Sequence, residues 1–183
     1  MGLLINNSLN QIDLFGLVGC KLSYSFDDDD SWWEKPLYPI NTKWLKTFDE
    51  IKKDIKKQLK TCCCIKKIYF TQHNGLPGTL AIGSGQLSAE ELQIIFSAIN
   101  DAKRRIIIER NKRALDFLKF VKTFMCNGGK IYFVQCYAGK GPEGEELKKW
   151  LQNLLGPNID IVLYANGVKW FWGTPYECEV KVK

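Results

Sequence analysis

Two residues of this chain have the types and the setting that nucleophilic catalysis requires. His73, the one histidine in the sequence, follows an apolar run rich in β-formers, and Cys136 follows another. An imidazole beside a thiol takes the thiol proton, and the cation it becomes lowers the thiol pKa. The same imidazole can return the proton to a leaving amine. With a single histidine available, any such mechanism must use His73 as its base. Gly75 follows His73 closely and Gly139 follows Cys136, and residues without a Cβ let a substrate backbone approach. The plain alternatives are a surface or structural histidine and a cysteine that serves as a small buried hydrophobe.

The elements that must position this pair are read from hydrophobic periodicity. Residues 14–26 are apolar and β-rich, predicting one or two strands. Residues 41–60 carry Trp44, Leu45, Phe48, Ile51, Ile55 and Leu59 at three- and four-residue steps, predicting a helix capped by Asn41 or Thr42. A strand over 66–71 ends beside His73, and a short one follows at 80–82. Ser88 and Glu91 form a capping box for a helix reaching residue 99. A further helix spans 109–124, and Ile106-Ile107-Ile108 before it fits helix or strand equally. Asn127-Gly128-Gly129 ends that helix, and the strand over 130–135 delivers Cys136. Pro142 and Glu143 open a helix to residue 155, Gly156-Pro157 stops it, and 159–164 is a buried strand. Residues 168–172 and 179–182 read as late edge strands, with Asn166-Gly167 as a tight turn. Strands alternating with amphipathic helices predict an α/β fold with a mainly parallel sheet covered on both faces. Ligands of such sheets bind at the carboxyl ends of the strands. If the strands before His73 and Cys136 are parallel neighbours, both residues stand on one rim.

The segments IYFTQHNGLPG and KIYFVQCYAG resemble the two catalytic stretches of the caspase-like superfamily of cysteine peptidases. That group includes caspases, legumains, and clostripain- and gingipain-type enzymes. Its members have a hydrophobic strand ending in a His-Gly pair. A later strand ends in the nucleophilic Cys, often preceded by Gln or Glu and an Ala and followed closely by Gly. The similarity covers roughly residues 68–163, about half the chain. It implies a three-layer α/β/α sandwich with His73 as base and Cys136 as nucleophile of a cysteine endopeptidase working through a thioester acyl-enzyme. It also implies an oxyanion hole built from the backbone amides of Gly75 and Cys136. Two departures mark a divergent member. Asn74 is inserted between His73 and Gly75, which makes its amide an alternative oxyanion donor. Gln135 directly precedes Cys136, so the caspase signature Q-A-C-x-G is not matched literally. The other readings are a catalytically inactive caspase-like domain that binds peptides or proteins, and a nucleic-acid binder.

The bulk properties bound these readings. A chain of 183 residues with 45% hydrophobic content fits one domain over 1–183, with residues 1–40 as a loosely attached N-terminal part. The net charge of +6 suits an acidic partner, but no zinc-finger spacing, stacking module or dense basic stripe accompanies it, which disfavours nucleic acid. No apolar stretch approaches the roughly 20 residues needed to cross a bilayer. Met1-Gly2 lacks the Ser or Thr at position six of a myristoylation motif, having Asn6 instead, so no membrane partner is expected. The seven cysteines are odd in number, three of them consecutive, and nothing resembles a secretory leader. They predict a reducing, cytoplasmic location, with all but Cys136 as packing residues. Cys62-Cys63-Cys64 has no second pair at metal-ligand spacing, so no metal site is expected. The acidic run at 27–30, beside Trp32 and Trp33, is compatible with calcium but lacks the ligand spacing of a dedicated loop, so no cofactor is indicated. The glycine-rich stretches at 83–85 and 139–144 fail the phosphate-loop pattern, Lys140 lacking a following Ser or Thr. The expected partner is a peptide or protein substrate. A homodimer joined at a sheet edge and an activating partner are both compatible with the resemblance.

Overall fold

The computed structural model describes residues 11–12, 18–26, 42–45, 47–73, 76–97, 101–171 and 174–178. The chain begins with β1 (Gln11–Ile12), β2 (Val18–Ser25), β3 (Lys43–Trp44), α1 (Phe48–Gln58) and β4 (Cys64–Thr71). A hairpin of β5 (Thr79–Ile82) and β6 (Gly85–Ser88) leads into α2 (Ala89–Phe96) and α3 (Asp101–Phe124). Then come β7 (Met125–Val134), α4 (Gly141–Leu155), β8 (Ile159–Val162), β9 (Gly167–Phe171) and β10 (Thr174–Cys178). The main sheet has the order β1-β2-β4-β7-β8, with β3 also paired to β2. Strands β2, β4, β7 and β8 are mutually parallel, and β1 is antiparallel to β2.

The fold is the expected α/β arrangement, a mainly parallel sheet flanked by helices. From β3, on the outer side of β2, the main-sheet strands then follow in one direction through β4 and β7 to β8. Right-handed crossovers taken in one direction place their helices on one face. Accordingly, α1 to α4 share one core with Leu22, Tyr24, Ile68, Phe70, Ile131, Phe133 and Ile161. Phe117 of α3 is fully buried there and contacts Phe26, Phe48 and Phe70. Strand alternation sends the intervening side chains to the other face. There Tyr69, Val134 and Tyr164 are buried, and Trp44, Tyr132 and Val162 pack against them. Both faces of the sheet therefore bury side chains.

Several elements depart from the periodicity. The helix predicted over 41–60 is a short strand followed by a later helix start. Thr47 accepts the Glu50 N–H at 3.2 Å while the Glu50 carboxylate accepts the Thr47 N–H at 3.1 Å, a capping box that fixes α1 at Phe48. Trp44 and Leu45 keep a helical spacing by coincidence. Thr42, proposed as a cap, instead shares a 2.8 Å hydrogen bond with Ser23, while Asn41 lies outside the described residues. Lys43 reaches Asp54 on α1 at 2.5 and 2.7 Å, and the buried Tyr24 hydroxyl donates to the same carboxylate at 3.0 Å. The triple isoleucine is helical, within α3: Ile107 is buried and Ile106 exposed, as a 3.6-residue period requires. Asn127-Gly128-Gly129 lies inside β7 at a break in register, which passes from Ile65↔Met125 to Lys67↔Lys130. The capping box at Ser88 and Glu91 forms as expected, and α2 ends at Phe96. The late strands β9 and β10 form their own two-stranded sheet, and residues 179–182 lie outside the described residues.

The cysteines give the largest correction. Cys20 is disulfide-bonded to Cys62, and Cys64 to Cys126, so four residues expected to be mere packing are cross-links. The two bonds lie on opposite faces of β2. Cys20 belongs to the helix-side core, whereas a Cβ added at its neighbour Gly19 would stand 3.3 Å from Cys126 Sγ and 3.0 Å from Lys66 Cβ. Gly19 is thus the residue that leaves room for the second bridge. Among the described residues, no helix is long and apolar enough to cross a membrane.

Candidate active site

Strands β4 and β7 are adjacent and parallel, and their last paired residues are Thr71 and Val134. His73 and Cys136 each stand two residues beyond that pair. Neighbouring strands lie about 5 Å apart, so the conditional expectation of a shared rim is met by the register. His73 is exposed and Cys136 half-buried. Asn74 and Gly75, the expected oxyanion donors on the histidine side, lie outside the described residues, as does the acidic run at 27–30.

The residues immediately before the pair act together. Gln72 and Gln135 sit side by side, one step past Thr71 and Val134, and both grip the β5–β6 hairpin. Gln135 is buried; its Oε1 accepts from the Ala81 N–H at 2.9 Å and its Nε2 donates to the Ala81 carbonyl. Gln72 donates from Nε2 to the Gly83 carbonyl at 2.7 Å. The hairpin is thereby tied across the rim by side chains from both central strands. Thr71 Oγ1 and Gln72 Oε1 are buried without a hydrogen-bond partner among the described residues. Buried polar atoms left unsatisfied are uncommon in folded proteins; Asn111 Nδ2 on α3 is another.

The turn that carries Cys136 is held by the backbone. Gln135 N–H donates to the Phe133 carbonyl at 3.0 Å, ending β7 abruptly. Tyr137 then takes φ 61°, a left-handed conformation costly for a residue with a Cβ. Its N–H donates to Asn166 O at 3.2 Å, Gly139 N–H to Tyr164 O at 2.9 Å, and Gly78 N–H to Ala138 O at 3.1 Å. The glycines that failed the phosphate-loop pattern have a packing reason: a Cβ at Gly144, in the first turn of α4, would lie 2.1 Å from the Gly139 carbonyl carbon. The turn is therefore clamped between the β8–β9 connection, the start of the hairpin and α4. Sequence reasoning missed the strained Tyr137 and the paired glutamines; the only readable trace was a glutamine next to each candidate residue.

A cavity of about 260 Å³ lies where the hairpin tip, Gly83 and Ser84, meets α1 and α3. Its charged walls are Asp49, Lys52, Arg113 and Asp116, two of each sign. Gly83, whose carbonyl Gln72 holds, links this cavity to the rim. Beneath the rim, burial and then Tyr132 push the Tyr69 hydroxyl up to about 12, while burial and then Lys67 pull Lys21 down. Lys21 Nζ stands 5.2 Å from the Tyr69 ring centroid. No three His, Cys, Asp or Glu side chains among the described residues are grouped to hold a metal ion. In comparisons with known proteins, no family model, no curated protein and no solved structure matches the chain.

Proposed function

We propose that this protein is a cysteine endopeptidase of the caspase-like type, with Cys136 as nucleophile and His73 as base. His73 takes the Cys136 proton, the thiolate attacks the scissile carbonyl, and the proton passes to the leaving amine. Water then hydrolyses the thioester. The amide of Cys136, with that of Gly75 or Asn74, serves as donor to the developing oxyanion. The chemistry calls for no cofactor, and the partner is a peptide or protein substrate. The observation that supports this reading best is the parallel register Thr71↔Val134, two residues short of the histidine and the cysteine. The turn at Cys136, held by backbone hydrogen bonds to the β8–β9 connection, adds to it. A cytoplasmic location belongs to the same reading, and the two disulfides weigh against it, because such bonds persist mainly in oxidising compartments.

The test is cleavage of a diverse peptide library by the purified protein, alongside Cys136→Ala and His73→Ala. The expected outcome is a consistent residue at the cleaved bond and loss of cleavage in both variants. Alkylation of Cys136, mapped by mass spectrometry, should slow when His73 is replaced. An uncleaved library, with Cys136 alkylation indifferent to His73, would sink the peptidase and leave the non-catalytic interaction domain.

A further inference from the structure

The three consecutive cysteines have three different fates. Cys62 bonds to Cys20 and Cys64 to Cys126, while Cys63 is exposed and lies outside both bonds. Cys63 Sγ stands 3.6 Å from Cys64 Sγ, so a thiol touches one end of a disulfide. Cys63 lies in a bend just ahead of β4, where the ladder does not hold its backbone. Disulfides isomerise when a thiolate attacks a disulfide sulfur. Attacker and target are already in contact here.

We propose that Cys63, Cys64 and Cys126 form a thiol–disulfide exchange site in which one disulfide is shared among three sulfurs. Cys63 gives its proton to water, and the thiolate forms a bond to Cys64 Sγ. The Cys64–Cys126 bond breaks, and its electron pair leaves on Cys126 Sγ, which takes a proton from water. One disulfide is lost and one gained, so neither oxidant nor reductant is consumed. The product joins adjacent residues in an eight-membered ring and is the minor partner of the equilibrium. Its consequence is the release of Cys126, next to the Lys66 stem over Gly19. That release removes the covalent link between β7 and β4, the two strands that lead to Cys136 and His73 at their other ends, and leaves the ladder from Lys67↔Lys130 onward to hold them. The proposal is independent of whether that rim cleaves peptides.

Differential alkylation tests it. Protein purified without reductant is incubated at mildly alkaline pH, quenched in acid, which stops exchange, and then alkylated and mapped by mass spectrometry. In the wild type, label is expected mainly on Cys63, with a smaller fraction on Cys126 accompanied by a Cys63–Cys64 bond. In Cys63→Ser, an exposed substitution, label on Cys126 should fall by about tenfold or more, since the thiol in contact with that bond is gone. Cys136 serves as the internal standard in both. Label on Cys63 with none on Cys126 at any incubation time would overturn the proposal. Equal labelling of Cys64 and Cys126 in wild type and Cys63→Ser would overturn it too, because the bond would then be open without exchange.

Discussion

The bidentate clamp from Gln135 to Ala81 ties the hairpin to the end of β7, and its loss can be sized. Gln135 is 2% exposed and Ala81 5% exposed, so water does not readily take over either hydrogen bond. Gln135→Met keeps the length and volume of the side chain while removing both bonds. The Ala81 N–H and C=O are then buried without partners, at about 1–3 kcal/mol each. The expected cost is about 2–6 kcal/mol, a large share of the 5–15 kcal/mol that holds a typical domain together. Gln135→Glu tests the geometry separately. A neutral carboxyl can donate to the Ala81 carbonyl and accept from its N–H, as the amide does. A carboxylate can only accept, and would turn a negative oxygen on that carbonyl. The folded state therefore favours the protonated form and raises the pKa of the introduced group above its unfolded value. A group shifted that way stabilises fully below the unfolded value, and the contribution disappears as pH rises through the folded one. Urea unfolding followed by circular dichroism between pH 4 and 8 measures both variants. The reasoning fails if Gln135→Met lies within about 0.5 kcal/mol of wild type. It also fails if Gln135→Glu follows the wild-type pH profile.

Two further perturbations probe the frame around the rim. For Asp54, burial pushes the carboxyl up, but hydrogen bonds from Lys43 and Tyr24 outweigh it and leave the group below the usual carboxylate range. Lys43 is 39% exposed, so solvent screening holds the expected cost of Asp54→Asn to about 1–2 kcal/mol at neutral pH. A depressed carboxylate stabilises above its unfolded pKa and ceases to as pH falls through the folded one, so wild type and variant should converge in thermal melts taken at progressively lower pH. Gly144→Ala gives a test of sign: a helical Gly→Ala change ordinarily gains about 1 kcal/mol. Here the added Cβ meets Gly139 backbone at 2.1 Å, so a clear fall in melting temperature is expected, and a rise would show that the turn and α4 can separate at little cost.

Much of the fold was legible because it rests on local rules. The capping box at Ser88 and Glu91, the stop at Gly156-Pro157, and the apolar strands entering His73 and Cys136 all use residues within a few positions of one another. The errors arose where a distant partner decides the structure. Trp44 and Leu45 keep helical spacing with the residues that follow, yet strand pairing to β2 and the Thr47 cap claim that stretch. Asn127-Gly128-Gly129 has the composition of a helix stop. Its place inside β7 depends on the Gly128 N–H reaching Asn158 O at 2.8 Å, a contact thirty residues away that composition cannot announce.

The candidate site divides in the same way. Strand-end placement of a histidine and a cysteine is readable, because the strands themselves are. That β4 and β7 are neighbours is a property of sheet order, and only the register shows it. The glutamines look like incidental polar residues in the sequence and become the clamps of the hairpin once the two strands lie side by side. The cysteines make the strongest case. An odd count with three in a row argues for thiols when each is read alone, because adjacent residues cannot bond to one another without strain. The entry into a strand removes that objection: Cys64 is the first residue of β4, paired with Gly19, whereas Cys62 lies in the bend before it, outside the ladder, and each finds its own partner. Cys62 turns to Cys20 in the helix-side core and Cys64 to Cys126 over Gly19, where a side chain would crowd the second bridge. The residue left between them has nowhere to go but outward, and it stays in contact with the bond that its neighbour made.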